Sequence, residues 1–179
     1  YFSLEGVNTG KKEYPNYTLL IGRFDGADGM KTGYICASGF NQVSSATRNG
    51  RTVVSVVLGA DSLGARADAS AELLQRALTM PRGSGPRLDS LAPYGEGRDV
   101  VTDISAQVCN PQARKVRSEG RDEAGRMKLL SPYIHEMGRP PRTVFAGLIP
   151  GSEPVATKPG AAGANEIANV PIPKPRPTF

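Results

Sequence analysis

The sequence predicts a mixed α/β fold in which antiparallel strands are followed by a helix packed on their sheet. Asn49-Gly50 is the dipeptide preferred in two-residue type I′ hairpins, because both central residues need positive φ. The segment after it, RTVVSVVLGA, is short and rich in β-branched residues, so we expect a strand buried on both faces. Apolar residues then recur at helical spacing with Asp61 or Ser62 as the N-cap. These residues are Leu63, Ala67, Ala71, Leu74 and Leu78.

Further strands are predicted before the Asn-Gly turn. YFSLE and the segment Lys11 to Tyr14, joined through Asn8-Thr9-Gly10, have the pattern of a hairpin. Residues 27–35 and 40–47 are two more strand candidates. Since the first four residues have the pattern of mid-strand residues, we expect the chain to begin inside a domain.

Composition and charge narrow the function classes. The 179 residues are 39% hydrophobic and 6% aromatic with no Trp, which predicts a globular N-terminal part and a less well packed remainder. The formal charge is +5, but the basic residues are scattered, which argues against nucleic acid as the partner. No apolar run approaches the roughly 20 residues that a transmembrane helix needs.

Composition shifts divide the chain into four regions. Residues 1–80 carry the strands and the main helix, and residues 81–98 are a Gly, Pro, Ser and Arg linker. Residues 99–149 are a small appended region with short helices, and residues 150–179 are a Pro/Ala-rich tail that we expect to be disordered.

Three short elements are predicted in the appended region. Val101, Ile104 and Val108 share one face of a short helix. A second helix is predicted by Asn110 as N-cap, Pro111 at its first position and Gly120 past its end. TVFAGLI is a possible small strand.

The triplet Lys31-Thr32-Gly33 lies within one predicted strand. Side chains alternate along a strand, so Lys31 and Gly33 share one face and Thr32 points to the other. An edge strand can pair with an extended peptide, and glycine leaves room for that approach. An ammonium and a hydroxyl nearby can hold a carboxylate. Three residues alone are a weak signal.

The wider pattern is more specific. The blocks YFS, LL, FDGADGMKTGY, ASGFN, SATRNGR and VVLGA, followed by the amphipathic helix, resemble the serine D-Ala-D-Ala carboxypeptidases, the low-molecular-mass penicillin-binding proteins. The resemblance covers about residues 1–80 and the C-terminal part of their catalytic domain. It implies a β-lactamase/transpeptidase-like α/β fold, present here as a partial domain.

The resemblance also implies roles for single residues. These enzymes use S-x-x-K with the nucleophilic serine, an S-x-N motif and K-T-G. In the family, Lys31 supports acylation electrostatically and Thr32 helps to hold the substrate carboxylate, while the backbone N–H of Tyr34 is an oxyanion-hole donor. Lys31, Thr32 and Gly33 together form the substrate-binding strand.

The chain departs from the family at the nucleophile. No serine is followed by lysine at the S-x-x-K spacing, and S-x-N is absent. Tyr14-Pro15-Asn16 imitates Y-x-N but lies so close to K-T-G that a turn is the simpler interpretation. A position in NYTLL that is sometimes basic in the family is Asn16 or Tyr17 here. We expect the chain to be a piece of a longer enzyme, inactive alone.

The cysteines and the remaining polar candidates have simpler interpretations. Cys36 and Cys109 are too few for a tetrahedral metal site, and a periplasmic parent, as the family implies, makes a disulfide between them the leading expectation. His135 is expected to be structural. Arg48 and Arg51 are expected to keep the hairpin soluble. Asp25 and Asp28 are expected to stabilise turns.

These observations predict a fragment of a serine carboxypeptidase that removes the terminal D-Ala from peptidoglycan stem peptides through an acyl-enzyme and binds penicillin. The expected partners are the stem peptide and β-lactams, without a cofactor, metal or nucleic acid. The cell envelope or periplasm is the expected location, with membrane attachment open. The alternative is a non-catalytic cell-wall or protein-binding module, and a β-lactamase relative is a further alternative.

Overall fold

The computed structural model describes residues 1–92, 97, 99–112, 127 and 129–147. Within these ranges the chain forms two three-stranded sheets, with strand orders β2-β1-β6 and β3-β4-β5, and one long helix. The strands are β1 (Gly6–Asn8), β2 (Glu13–Pro15), β3 (Ala27–Ile35), β4 (Gly39–Arg48), β5 (Arg51–Ala60) and β6 (Thr143–Phe145). The helices are α1 (Leu63–Thr79), α2 (Ser105–Val108) and a 3₁₀ turn at Leu88–Ser90.

The main sheet is a fully antiparallel meander. Strand β4 pairs with β3 on one side and with β5 on the other. The two-residue turn between β4 and β5 has φ of 48° at Asn49 and 69° at Gly50, as a type I′ turn requires. The predicted mixed α/β fold, with antiparallel strands and a helix, is confirmed.

Helix α1 packs on this sheet through its small residues. The Ser62 hydroxyl accepts a hydrogen bond from the Ala65 N–H (3.1 Å), so Ser62, not Asp61, is the N-cap. The face predicted from the spacing is the buried face, and small side chains allow the helix axis to approach the strands closely. The buried core consists of Leu20, Phe24, Ala46, Ala67, Ala71 and Leu74.

Two strand predictions are wrong in part. Residues 1–4 form a turn, in which the Leu4 N–H donates to the Tyr1 carbonyl (3.2 Å), and the first strand begins at Gly6. Strand β5 is not buried on both faces, since α1 covers only the face that includes Ser55. The run of valines overstated burial because, among the described residues, no element packs on the opposite face, where Val54, Val56 and Leu58 are exposed.

The second sheet joins the two ends of the described chain. The predicted hairpin forms between β1 and β2, and β6 pairs with β1 in parallel, so the small strand predicted in TVFAGLI is confirmed. Glu5, next to β1, forms a salt bridge with Arg139 (2.6 Å) and accepts a hydrogen bond from the Arg142 N–H. These bonds lower the pKa of Glu5 from its ordinary 4.5 to about 2.

A second attachment holds residues 129–134 against α1. The carboxylate of Asp68 accepts hydrogen bonds from the backbone N–H groups of Leu130 and Ser131 (each 3.0 Å). Glu72 accepts one from the Ser131 hydroxyl (2.9 Å). Tyr133 and neighbouring apolar side chains pack on the core beside this contact.

Parts of the appended region are as predicted. The first short helix is α2, with Val108 buried, but Val101 is exposed and outside it. The Asn110 side chain accepts a hydrogen bond from the Gln112 N–H (2.9 Å), as an N-cap does. The rest of that predicted helix, to Gly120, and the tail 150–179 lie outside the described residues. The four-region division stays a prediction.

Membrane-spanning helices were sought within the described ranges. No helix there has the length and apolar character needed to cross a bilayer.

The Glu5–Arg139 contact predicts a pH dependence of stability. Because folding lowers the pKa of Glu5, the stabilisation is fully present above about pH 4.5 and is lost as the pH falls toward about 2. The unfolding free energies of the wild type and of Glu5→Gln should therefore differ most near pH 6 and converge near pH 2, as measured by denaturant unfolding across this range.

Arg139→Gln serves as the reciprocal variant, because it removes the cation that lowers the pKa and leaves the carboxylate in place. Its free energy of unfolding should change less between about pH 4.5 and pH 2 than that of the wild type does. A wild-type curve that matches both variants from pH 6 to pH 2 would contradict this assignment.

Candidate functional site: an open strand edge beside a cleft

The backbone of β4 determines which edge groups of β3 are free. Arg48 and Arg51 flank the two-residue turn, whose hydrogen bond directs the backbone of Arg51 toward β4. Antiparallel strands alternate hydrogen-bonded and non-hydrogen-bonded pairs, so even-numbered residues of β4 bond to β5 and odd-numbered ones bond to β3. Asn41 and Val43 are the odd-numbered partners of Gly33 and Lys31.

The N–H and C=O groups of Thr32 and Tyr34 therefore point away from β4. Strand β3 is the first strand of its sheet, so these groups line an edge with no strand beside it among the described residues. The Lys31 ammonium donates to the carbonyl of Thr32 (2.5 Å), which agrees with an outward carbonyl. An extended peptide could pair with β3 along this edge.

The side chains of the triplet divide between the two faces of the sheet. Thr32 lies opposite Gln42, on the face that α1 covers, whereas Lys31 and Gly33 lie on the far face with Val43. A Cβ built on Gly33 would meet nothing within 4 Å. Space is therefore open in front of Gly33, while Lys31 is exposed.

A cleft of about 420 Å³ lies between the first hairpin and β3. Lys31 and Thr32 form part of one wall together with Met30. The opposite side is formed by residues of the β1–β2 hairpin and of the segments before and after it, which contribute several aromatic rings. They are Tyr1, Leu4, Gly6, Val7, Tyr14, Pro15, Asn16, Tyr17 and Thr18.

Asn16 lines this cleft, but its side chain is already engaged. Its amide donates to the carbonyls of Phe2 (3.1 Å) and Leu4 (2.8 Å), and its carbonyl oxygen accepts from the Thr18 N–H (3.0 Å). These bonds fix the chain where it leaves β2. In Tyr14-Pro15-Asn16, which imitates Y-x-N, the asparagine therefore has a structural role. The neighbouring Tyr17 ring is exposed, and its hydroxyl is accessible.

A disulfide lies at the far end of β3. The structure joins Cys36 to Cys109 with a Cα–Cα distance of 5.6 Å across 73 residues of sequence. The Tyr34 hydroxyl lies 3.1 Å from the Cys109 sulfur, and its ring stacks on Phe40 with centroids 4.2 Å apart. The side chain of the residue after K-T-G is thus held by the disulfide and by β4.

The same tail segment closes over the β3–β4 turn. The Ile104 N–H donates to the Ala37 carbonyl (3.1 Å). Gly39 has a φ of +70°, and a Cβ there would lie 2.8 Å from the Ala60 carbonyl and 2.9 Å from Ile104. Only glycine fits this turn, because both the backbone conformation and the space exclude a side chain.

Sequence reasoning missed Arg66. This arginine is 2% exposed and lies on the buried face of α1. Its guanidinium donates to the carbonyls of Tyr17 (2.8 Å) and Asn41 (3.4 Å), which connects the cleft floor to β4. Burial lowers the pKa of Arg66. Arg66 lies one helical turn from Ser62 and from Ser70, and this spacing places it on their face of the helix. That spacing could have indicated its burial, but arginine is seldom fully buried, so the sequence alone did not predict it.

The remaining sequence candidates are not brought into the cleft. Asp28 accepts hydrogen bonds from the hydroxyls of Ser45 and Thr47, and Arg48 bonds Asp25 and Gln75, so these residues support turns and packing. Arg51 donates to the Met80 carbonyl at the end of α1. The side chain of His135 is exposed. No group of three or more His, Cys, Asp or Glu side chains suited to a metal lies within the described ranges.

Among the comparisons of this chain with known proteins, matches were found only with solved structures. No known family model and no curated protein matches the chain. The D-alanyl-D-alanine carboxypeptidase DacD of Francisella tularensis is similar at 47% identity and a TM-score of 0.37, over 38% of this chain and 16% of that one. Penicillin-Binding Protein D2 of Listeria monocytogenes, solved in ampicillin-bound and cefotaxime-bound forms, is 32% identical at a TM-score of 0.37.

A Streptomyces DD-transpeptidase is a further similar structure, at 32% identity and a TM-score of 0.34. These proteins are of the group that the sequence resembles, and each match covers 36–41% of this chain. The match covers 41% of this chain and 30% of the Listeria protein. The chain therefore spans less than a third of the length of each of these neighbours.

The disulfide predicts a measurable loss of stability on reduction. In the chain-entropy model, closing a loop of this length lowers the entropy of the unfolded chain. This raises the free energy of the unfolded state by about 4 kcal/mol. The double variant Cys36→Ser, Cys109→Ser should therefore lower the free energy of unfolding by up to about 4 kcal/mol, as measured by urea denaturation.

Dithiothreitol is the matched control. It should shift the unfolding midpoint of the wild type toward that of the double variant and leave the double variant unchanged. Equal midpoints for the oxidised wild type and the double variant would contradict a stabilising bond.

Proposed function

We propose that the chain forms one wall of the acyl-transfer cleft of a serine D-Ala-D-Ala carboxypeptidase acting on peptidoglycan stem peptides in the cell envelope. The observation that carries the proposal is the position of Lys31-Thr32-Gly33 on an open strand edge beside a cleft of about 420 Å³. The sequence blocks around the triplet, quoted above, supply the substrate class.

The proposed substrate is an extended peptide that ends in D-Ala-D-Ala and lies beside β3. Its backbone pairs with the outward groups of Thr32 and Tyr34, as in other cases of strand addition. The open space at Gly33 admits the peptide. The aromatic side of the cleft, including Tyr17, contacts the apolar parts of the substrate.

Each residue of the strand has a proposed role in acyl transfer. The backbone N–H of Tyr34 donates to the oxyanion of the tetrahedral intermediate, a contact whose removal typically costs about 10²–10³ in rate. The hydroxyl of Thr32 holds the terminal carboxylate. Lys31 supplies positive charge for both the carboxylate and the acylation step.

The nucleophile comes from outside these 179 residues. Covalent acyl transfer needs an activated serine, and no serine here has a lysine at the S-x-x-K spacing. β-Lactam binding is proposed on the same basis, because a penicillin acylates the same serine, which lies outside these 179 residues.

The first experiment uses the chain alone. Incubation with fluorescent penicillin should give no covalently labelled band on a denaturing gel, while an intact D-Ala-D-Ala carboxypeptidase labels in the same assay. A labelled band from this chain would show that the nucleophile lies within it and would overturn the assignment of roles.

A second experiment tests the wall itself. The residues of the Francisella carboxypeptidase that precede its matching segment are fused to the full 179-residue chain, and the fusion should acylate with fluorescent penicillin. Lys31→Ala should slow acylation by about 10²–10³-fold, the size of one preorganised electrostatic contact. Lys11→Ala, at an exposed hairpin lysine, is the matched control and should not change the rate.

The same fusion separates the alternative function. A folded fusion that acylates equally fast with and without Lys31 would assign the strand to a non-catalytic binding module. The absence of S-x-x-K and S-x-N from the chain is the observation that favours that alternative.

A further inference from the structure

The hairpin that forms the wall of the cleft opposite β3 is extended by a strand from the C-terminal half of the chain. Strand β1 is the central strand of this sheet, with β2 on one side and β6 on the other. A two-stranded hairpin alone is marginally stable in water. Strand β6 therefore helps to hold a wall in which Gly6 and Val7 line the cleft.

The backbone groups along β1 are divided between its two neighbours. The Glu5 carbonyl accepts a hydrogen bond from the Asn16 N–H (2.8 Å), whereas the Asn8 carbonyl accepts one from the Ala146 N–H (2.8 Å). Odd-numbered residues thus bond toward β2 and even-numbered residues toward β6. Loss of β6 would leave the backbone groups of Gly6 and Asn8 without these partners.

An arginine fixes the start of β1. Glu5 lies between Leu4 and Gly6, which both line the cleft. The Arg139 guanidinium donates to both carboxylate oxygens of Glu5 (2.6 and 2.7 Å), and the Arg142 N–H donates to one of them. These bonds lower the pKa of Glu5 to about 2, so the carboxylate is ionised at neutral pH. A two-point contact of this kind fixes orientation as well as charge.

A second carboxylate joins all three strands of the sheet. Glu13 of β2 accepts hydrogen bonds from the Asn8 amide (3.0 Å) and from the Thr143 hydroxyl (3.2 Å). The strands also leave little room between them. A Cβ built on Gly6 would lie 2.8 Å from the Tyr14 carbonyl oxygen and 3.2 Å from Thr143. A displacement of β6 would therefore be transmitted to β1.

The segment that precedes β6 is anchored to the helix side of the domain. Residues 129–134 are held against α1, as described above, and the His135 N–H donates to the Arg23 carbonyl (2.9 Å). Three residues separate His135 from Arg139, so little slack remains between this anchor and the contact with Glu5.

We propose that residues 129–146 form a strap that sets the width of the cleft, with Arg139 as its positioning residue. The inference rests on the proposed function, in which the hairpin side of the cleft contacts the apolar parts of the substrate. The strap holds the hairpin and not β3, so it governs how tightly the substrate binds. The acylation step itself depends on Lys31 and Tyr34 of the other wall. All contacts that carry the strap join two segments of this chain.

A distance measurement on the full chain tests the strap without any catalysis. Spin labels are placed at Lys11→Cys, on the exposed hairpin, and Arg76→Cys, on an exposed part of α1, because the two native cysteines form the disulfide. Adding Arg139→Gln, which removes the two-point charged contact, should shift and broaden the distance distribution measured by double electron–electron resonance. Circular dichroism checks that the variant is folded, so a loss of stability alone would not give this change.

Arg87→Gln is the matched control. It removes an arginine–carboxylate contact of the same kind, between Arg87 and Asp89 (3.0 Å), outside the strap. The distance distribution of this variant should equal that of the labelled chain without it. An equal change in the two variants, or no change in Arg139→Gln, would overturn the strap.

The fusion with the Francisella residues, described above, separates substrate binding from chemistry. The acylation rate is measured against the concentration of fluorescent penicillin, which gives a half-saturation concentration and a maximal rate. Arg139→Gln should raise the half-saturation concentration at least about fivefold and leave the maximal rate unchanged, because β3 is not displaced. Arg139→Lys keeps the charge and should recover part of the loss, while Arg87→Gln should behave as the unaltered fusion.

The two experiments distinguish failure of the strap from failure of the proposed function. An active fusion in which Arg139→Gln leaves the half-saturation concentration unchanged, or lowers only the maximal rate, would overturn the strap. A fusion that never acylates would contradict the proposed function, and the distance distribution alone would then decide whether the strap positions the hairpin.

Discussion

The close packing of α1 on the main sheet is the contact on which the rest of the structure depends. Ala67 and Ala71 are fully buried, and their small side chains let the helix lie directly on β4 and β5. A larger residue at either position would separate the helix from the strands and open the core. The chain segment that carries Leu20 and Phe24 fills the remaining side of this contact, just before β3 begins.

This packing gives the sheet two edges of different character. The helix lies over β4 and β5, so β3 extends past it with Lys31 and Gly33 exposed and Thr32 partly exposed beside the cleft. The edge at β3 carries an ammonium, a hydroxyl and open space, which suits a polar peptide end. The edge at β5 carries valines and a buried serine, which suits another apolar strand.

Local patterns predicted most of the central fold because each was decided by neighbours in sequence. The Asn49-Gly50 turn, the strand candidate before it and the helical spacing of Ala67 and Ala71 need no distant information. Burial of β5 was predicted wrongly, since a valine run cannot report whether an element packs on each face of the sheet. The strand prediction for residues 1–4 failed for a similar reason: the Tyr1–Leu4 turn is joined to Asn16 by bonds from distant sequence.

The sequence predicted two residues that line the cleft, but not how the cleft is arranged, and their catalytic roles stay a prediction. K-T-G identified Lys31 and Thr32, whereas the role of Arg66 depends on carbonyls 25 and 49 positions away in sequence. No local spacing encodes such contacts, because a buried guanidinium takes its acceptors from whatever backbone the fold brings to it. Arg66 joins the cleft floor to β4, so the geometry of the cleft depends on a residue that does not line it.

The contact made by Lys31 bears on how the proposed site would accept a substrate. Its ammonium bonds the carbonyl of Thr32, which is one of the acceptors that a peptide pairing with β3 would use. Peptide and ammonium therefore compete for that carbonyl. Binding a peptide with a terminal carboxylate resolves the competition, because the carboxylate offers the ammonium a charged acceptor in place of a neutral one. A peptide without a free carboxylate would lose the carbonyl to Lys31, so the strand edge itself favours peptides that end nearby.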